Sequence, residues 1–470
     1  MTAAQAVVST RQRRAFVDVL RKTSSEPLLA EGAFAELLVQ HSPARLQHST
    51  ANAEEEAGDE EPTVELPVEV AEGPRGAGLF SYQSELVDEF VSLVQGPREV
   101  RVGLVGLPTG SGKTRMAATA CLRLFTAHSL QRVLWIAPTS ELLEQAISAF
   151  KLLVSLGEGP RQVELVRLVL GGKASKEGPA VLFATCQLLA RRWGSLKTRA
   201  IEPVELVIFD EAHYALAPTY LDAVEGLVRA SRNGAGLIGL TATPGRRDEQ
   251  ASERLVEVFG RRWLVSAELG NRPLDTLREM GILSTLHFRR IEFMGSGPGT
   301  RLSRAHLKTQ SSANLAVNPE RFRAVLATIS QFPVGERAIV FAASIEHGAA
   351  ITAALRSKNI SARLVSGYQD AKARRHALEA FEGGDATVLV NKAVLIAGYD
   401  CPAVKHIVLT VPVRSAITFE QMVGRGCRGR RVGGNNESFV WELDDMLALH
   451  GSPSSYSRYR DQSWTRGKDD

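Results

Sequence analysis

Residues 105–114 read VGLPTGSGKT. They follow the apolar run VRVGL and open a helical pattern from Lys113, so a Gly-rich turn joins a strand to a helix. Such a turn leaves backbone N–H groups free to point at phosphate oxygens, and the helix N-terminus adds the positive end of its dipole. The span Pro108, Thr109, Gly110, Ser111, Gly112, Lys113 and Thr114 is therefore read as a nucleotide cradle. Lys113 reaches the terminal phosphates, and the Thr114 hydroxyl ligates Mg²⁺. The strict GxxxxGK[ST] pattern departs at one position: Leu107 stands where its first Gly belongs, with Gly106 before it.

A second stretch, VELVIFDEAHYAL at 204–216, runs apolar through Phe209 and stops at Asp210 and Glu211. Alone, it reads equally well as a strand running out into solvent. Beside a phosphate cradle, a buried strand ending in Asp is the other half of a Mg²⁺ site. Asp210 is expected to hold the metal and Glu211 to act as general base on the attacking water. Their charge is then met by a cation, which a buried carboxylate requires. ATP and Mg²⁺ are the expected cofactors.

Strand-type runs alternate with helical segments outward from these motifs. One series is VRVGLVGL, RVLWIAP, AVLFAT, VELVIF and GLIGL; a second, after residue 330, is RAIVFAA, ARLVSG, TVLVN, KHIVLT and SFVWEL. Alternation of this kind predicts α/β architecture with two parallel-sheet domains. The expected division is 1–50, a helical N-terminal extension; 51–78, an acidic Pro/Gly linker; 79–270, domain 1; 271–317, a connection; 318–450, domain 2; and 451–470, a C-terminal tail.

Length and composition agree. With 470 residues, 44% of them hydrophobic, the chain is long enough for two or three domains. No run nears eighteen apolar residues, so no membrane span is expected. The start, MTAAQAVVSTRQRRAF, lacks the order of a secretory signal. Cys121, Cys186, Cys401 and Cys427 form no CxxC pair, which fits reduced thiols and a cytoplasmic location. Residues 51–72 carry nine acids and no Lys or Arg, so within a net +4 the remainder carries +13. A basic body of this kind is compatible with a polyanion. Because the acidic segment offers no apolar face, removing residues 1–74 is expected to leave the core folded. The N-terminal extension is a candidate surface for a protein partner.

With DEAH at 210–213 and TGSGKT at 109–114, the chain resembles the superfamily 2 helicases and translocases, built on tandem RecA-like domains. Tyr82 and Gln83 in LFSYQSELVDEF resemble the Q-motif, which implies that Gln83 reads the adenine edge. APTSELLEQ (137–145) and ATCQLLA (184–190) resemble motifs Ia and Ib, which implies nucleic-acid contacts by Pro138, Thr139, Thr185 and Gln187. LTATPGR (240–246) resembles motif III, implying coupling roles for Thr241 and Thr243, with His213 as a relay. IVFAAS (339–344) resembles motif IV, bringing Ser344 to the strand path. VLIAGYDCPAVKHIVL (394–409) resembles motif V, with Gly398 and Asp400 toward the nucleotide. QMVGRGCRG (421–429) resembles motif VI: Arg425 and Arg428 match the arginines that face the γ-phosphate, and Gln421 couples.

The resemblance spans roughly residues 79–445 and departs at Ala397, where relatives often carry a polar residue. DEAH, TAT and Gln421 lean toward DNA over RNA as partner. An RNA helicase, a duplex-DNA translocase that never separates strands, a partner-activated ATPase and a scaffold with an inactive site all remain open at this point.

Overall fold

The computed structural model describes residues 3–24, 26–41, 78–97, 101–160, 162–168, 178–190, 204–217, 235–242, 249–293, 315–392, 399–410, 416–443 and 465–466, with Tyr220, Ala223, Gly226 and Val413. The predicted linker and residues 294–314 lie outside that set. The chain forms two compact units, one of Glu60–Glu279 with Pro453–Asp470 and one of Met1–Asp59 with Met280–Ser452.

In the 60–279 unit the strands are β1 (Val102–Gly106), β2 (Arg132–Ala137), β3 (Glu164–Arg167), β4 (Ala180–Thr185), β5 (Leu206–Asp210), β6 (Gly236–Thr241) and β7 (Arg262–Leu264). The other unit carries β8 (Thr285–Ile291), β9 (Arg337–Phe341), β10 (Ala362–Ser366), β11 (Val388–Lys392), β12 (Val404–Leu409) and β13 (Glu437–Leu443). A last strand, β14 (Thr465–Arg466), returns to the first sheet. The sheet orders are β14-β7-β1-β6-β5-β2-β4-β3 and β10-β11-β9-β12-β13-β8. Every strand pair in both sheets is parallel.

Central strands such as LVIFD and RVLWIA are buried along their whole length, as a parallel sheet covered on both faces requires. The expectation of two parallel α/β sheets therefore holds. Ten expected strand runs are present, and β3, β7, β8 and β14 are additional.

Two parts of the expected division change. Residues 271–317 are not only a connection: Thr285–Ile291 pairs with β13 over its full length, and the compact unit begins at Met280. The strand escaped notice because TLHFRRI has no apolar run; it is an edge strand with most side chains exposed or half-exposed. The N-terminal helices are not a detached extension either. Helices α1 (Ala3–Thr23) and α2 (Pro27–Gln40) bury Phe16, Val19, Leu20, Ala30, Phe34 and Leu37 in the core of the 280–452 unit. Phe16 stacks on His347 with ring centroids 5.6 Å apart, and His41 Nδ1 lies 2.8 Å from Ser366 Oγ. The helix they cover, Ile345–Arg356, is buried almost all round, since the sheet lies on one side and α1 and α2 on the other.

Candidate active site

The turn between β1 and the helix Lys113–Thr126 takes two left-handed glycines, Gly110 at φ 94° and Gly112 at φ 82°. A Cβ on Gly112 would come within 2.4 Å of Gln83 Nε2, so close approach as well as φ requires glycine there. That amide holds the turn: Gln83 Nε2 donates to Ser111 O at 2.8 Å, and Tyr82 Oη donates to the same carbonyl at 2.6 Å. Gln83 Oε1 meanwhile accepts from Phe80 N at 3.0 Å, so both ends of the side chain are engaged. Tyr82 and Gln83 are buried beneath the turn. Lys113 Nζ donates to Leu107 O at 2.9 Å and Pro108 O at 3.4 Å, which folds the ammonium back over the cradle. Thr109, Gly110 and Thr114 are partly exposed along the same turn.

β5 delivers Asp210 to the same edge. Asp210 Oδ1 accepts from Glu211 N at 2.9 Å, and Asp210 is 3% exposed. Burial, then the neighbouring Glu211 charge, push its carboxyl up to about 7; Lys113, the Glu211 N–H and the Trp135 indole N–H oppose the rise. Glu211 adopts a left-handed backbone at φ 50°, uncommon for a residue with a Cβ and typical of strained functional turns. Its Oε2 lies 3.2 Å from His213 Nδ1, which lies 3.3 Å from Thr241 Oγ1 at the end of β6. A buried chain Glu211–His213–Thr241 thus links two strand ends. Asp210, Glu211, Lys113 and the Gly-rich turn all lie at the carboxyl end of one sheet, where open α/β sheets bind ligands.

Thr139, Thr185 and Ser344 lie at or just beyond the ends of β2, β4 and β9. Thr139 caps the helix Ser140–Ser155 by accepting from Leu142 N, with Pro138 just before it. Thr185 Oγ1 accepts from Leu188 N at 3.2 Å, and Gln187 is exposed. Ser344 caps Ile345–Arg356 through a 3.1 Å bond from His347 N. Thr243 and Gly398 lie outside the described residues. In the 280–452 unit, Arg428 Nη2 pairs with Asp400 Oδ1 at 2.8 Å. Arg425 donates to Gln421 O at 3.2 Å and to Tyr399 O. Gln421 is buried, and neither polar atom of its amide has a hydrogen-bond partner among the described residues. Trp135 carries no sequence motif; only the register of β2 against β5, which sets it opposite Ile208, relates it to Asp210.

Two family profiles match the chain: "Type III restriction enzyme, res subunit" over residues 77–246 and "Helicase conserved C-terminal domain" over 320–430. Among curated relatives, a Schizosaccharomyces pombe protein assigned as the mitochondrial ATP-dependent helicase irc3 is 24% identical over 264 residues, 53% of this chain and 40% of that protein. The ATP-dependent DNA helicase MPH1 of Coccidioides immitis is 32% identical over 154 residues, 32% of this chain and 14% of that protein. The chain spans about half the length or less of these curated relatives.

Two solved structures share the fold. Saccharomyces cerevisiae Dbp5 bound to RNA and ADP BeF3 has a TM-score of 0.55 at 15% identity, covering 81% of this chain and 88% of that one. The Type ISP restriction-modification enzyme LlaBIII bound to DNA has a TM-score of 0.57 at 15% identity, covering 81% and 29%. The chain belongs to the superfamily 2 helicases, with tandem RecA-like domains.

Proposed function

We propose that the chain is an ATP-driven helicase or translocase that acts on DNA. The observation that carries this reading is the buried pair Asp210 and Glu211 at the tip of β5, beside Lys113 and its Gly-rich turn. Tyr82 and Gln83 set the turn, and its N–H groups with Lys113 take the nucleotide phosphates. Glu211, held beside His213, accepts the proton of the attacking water. Arg425 and Arg428 supply positive charge to the transferring phosphate, with Asp400 releasing Arg428 for the purpose.

The residues fit a Mg²⁺ ion. Asp210 Oδ2 is buried without a hydrogen-bond partner among the described residues, and the raised carboxyl calls for a cation. Among the described residues no three His, Cys, Asp or Glu side chains form a metal cluster. Mg²⁺ at phosphate sites draws most of its ligands from phosphates and water, so Asp210 and Thr114 suffice on the protein side. When bound, the ion neutralises charge on the phosphates.

His213 and Thr241, with Thr243 and Gln421, couple the site to nucleic acid held by Pro138, Thr139, Thr185, Gln187 and Ser344. DNA is favoured by the DEAH and TAT spellings and by the MPH1 relatives, which are named DNA helicases. Four free thiols fit a reducing compartment such as the cytoplasm. Among the described residues no helix is long and apolar enough to cross a membrane.

Steady-state ATPase with single-stranded DNA, duplex DNA and single-stranded RNA at two salt concentrations tests the reading, with Lys113→Ala as control. DNA is expected to stimulate more than RNA, independently of base sequence, and less at high salt as phosphate contacts weaken. RNA stimulating as well as DNA would move the assignment to an RNA helicase. Basal turnover that no nucleic acid stimulates would make the chain a partner-activated ATPase.

A further inference from the structure

Trp135 lies in the middle of β2, fully buried. Strand register sets it directly opposite Ile208 on β5. Side chains alternate along a strand, so Ile208 and Asp210 project to one face, and Trp135 shares that face one diagonal step from Asp210. Diagonal neighbours are within reach of a side chain as long as an indole.

Neighbouring aromatics hold the ring. Phe150, from the helix Ser140–Ser155, meets the indole edge-on with centroids 5.7 Å apart at 86°. Phe183 of β4 in turn meets Phe150 at 5.9 Å and 76°. Packing of this kind restricts the indole ring.

Burying an indole N–H that core packing does not need costs about 1–3 kcal/mol unless an acceptor meets it. Trp135 Nε1 and Asp210 Oδ2 are both buried, and among the described residues neither has a hydrogen-bond partner of ordinary geometry. One is a donor, the other an acceptor, and they share a face. The indole N–H is also a hydrogen-bonding neighbour of the Asp210 carboxyl.

We infer that Trp135 is a positioning residue for Asp210, its indole N–H steering Oδ2 so that the carboxylate is held in the orientation that takes Mg²⁺. The inference rests on the reading of Asp210 as the metal-holding carboxylate. Groups behind a metal ligand commonly set its affinity, and losing one costs 10–100-fold.

The test is Trp135→Phe, which keeps an aromatic ring against Phe150 and removes the donor. A fluorescent ADP analogue is titrated in chelator and across a Mg²⁺ series. Affinity in chelator should change less than about 2-fold, while the Mg²⁺ concentration giving half the metal-dependent gain should rise ~10-fold or more. An unchanged Mg²⁺ midpoint in folded Trp135→Phe overturns the positioning role alone. A wild-type chain whose ADP affinity ignores Mg²⁺ overturns the metal reading of Asp210, and this inference with it. Should the variant not fold, the ¹⁵N-labelled wild-type indoles report the same contact, assigned by replacing the other tryptophans singly with Phe. Asp210→Asn should then shift the Trp135 N–H resonance more than that of buried Trp263; equal or no movement overturns the proposal.

Discussion

Phe34→Ala is the sharpest perturbation of the N-terminal helices. The Phe34 ring is 2% exposed, packed in one cluster with Phe16, Leu37, Leu355 and Ile351, and 6.5 Å from the Phe16 ring. Truncating a buried Phe removes its transfer energy and leaves a cavity, about 3–5 kcal/mol in typical cores. A domain has only ~5–15 kcal/mol in hand, so one ring on an apparent appendage carries a large share of the stability of the 280–452 unit. At roughly 2–4 °C per kcal/mol for a unit of this size, its melting transition should fall by roughly 6–20 °C. Leu28, on the same helix, is 85% exposed, and Leu28→Ala should move the transition by less than about 2 °C. Calorimetry of the intact chain separates the units, because ADP raises only the transition of the unit that binds it. Equal shifts for Phe34→Ala and Leu28→Ala, or a shift confined to the ADP-sensitive transition, would refute the docking of α1 and α2. By the same reasoning, removal of residues 1–74 strips the cover from Ile345–Arg356 and should yield insoluble protein, contrary to the expectation from sequence.

Lys113→Ala should lose most ATP affinity and turnover, measured by nucleotide titration and phosphate release; near-normal turnover in a folded variant would sink the cradle assignment. Glu211→Gln should bind ATP normally yet stall, and the idea fails if single-turnover hydrolysis persists. Arg425→Ala and Arg428→Ala should each keep nucleotide binding and cut turnover by ~10³ or more, the usual effect of losing such an arginine; normal rates in both would remove them from the site. His347 is buried beneath Phe16, and burial, then Arg321 and Lys392, push its imidazole down to about 3. The folded value lies below the unfolded one, so its contribution is fully present above about pH 6.5 and is lost as pH falls toward 3, at ~1.4 kcal/mol per pH unit. The melting point of the 280–452 unit should therefore drop between pH 7 and 5, and less so in His347→Gln; matching pH profiles would contradict this.

What the sequence disclosed follows from where information is local. Strands such as VLFAT and VLVN were legible because burial on both faces demands unbroken apolar runs. ELVR, TLHFRRI and the Thr465–Arg466 pair were not, because strands at a sheet edge have one unpaired flank and carry mixed residues, and RWL was not, because three residues make too short a run. TGSGKT and DEAH were legible because phosphate and metal chemistry fix residue types at fixed spacing. Trp135 could not be, since its relation to Asp210 exists only across the β2–β5 register. The periodicity of α1 and α2 was visible, but not their docking site. One signal did exist: IEHGAAITAALR is apolar on all sides, and a helix of that kind needs cover beyond its own sheet.

The buried polar groups carry the argument furthest. Asp210, Glu211, His213 and Thr241 in one unit, and Gln421, Arg425 and Arg428 in the other, are buried in units whose cores are otherwise largely apolar. Asp210 Oδ2, both ends of the Gln421 amide and Arg428 Nη1 have no hydrogen-bond partner among the described residues. Each such atom costs about 1–3 kcal/mol, a burden that stability alone would not retain. Asp210 lies at the tip of β5, and Gln421 and Arg428 lie in the QMVGRGCRG stretch that resembles motif VI. A nucleotide-bound metal ion carries the cation that Asp210 lacks. Asp210 Oδ2 is therefore the atom of the 60–279 unit that a nucleotide-bound cation would satisfy, and nucleotide with Mg²⁺ should raise the melting transition of that unit.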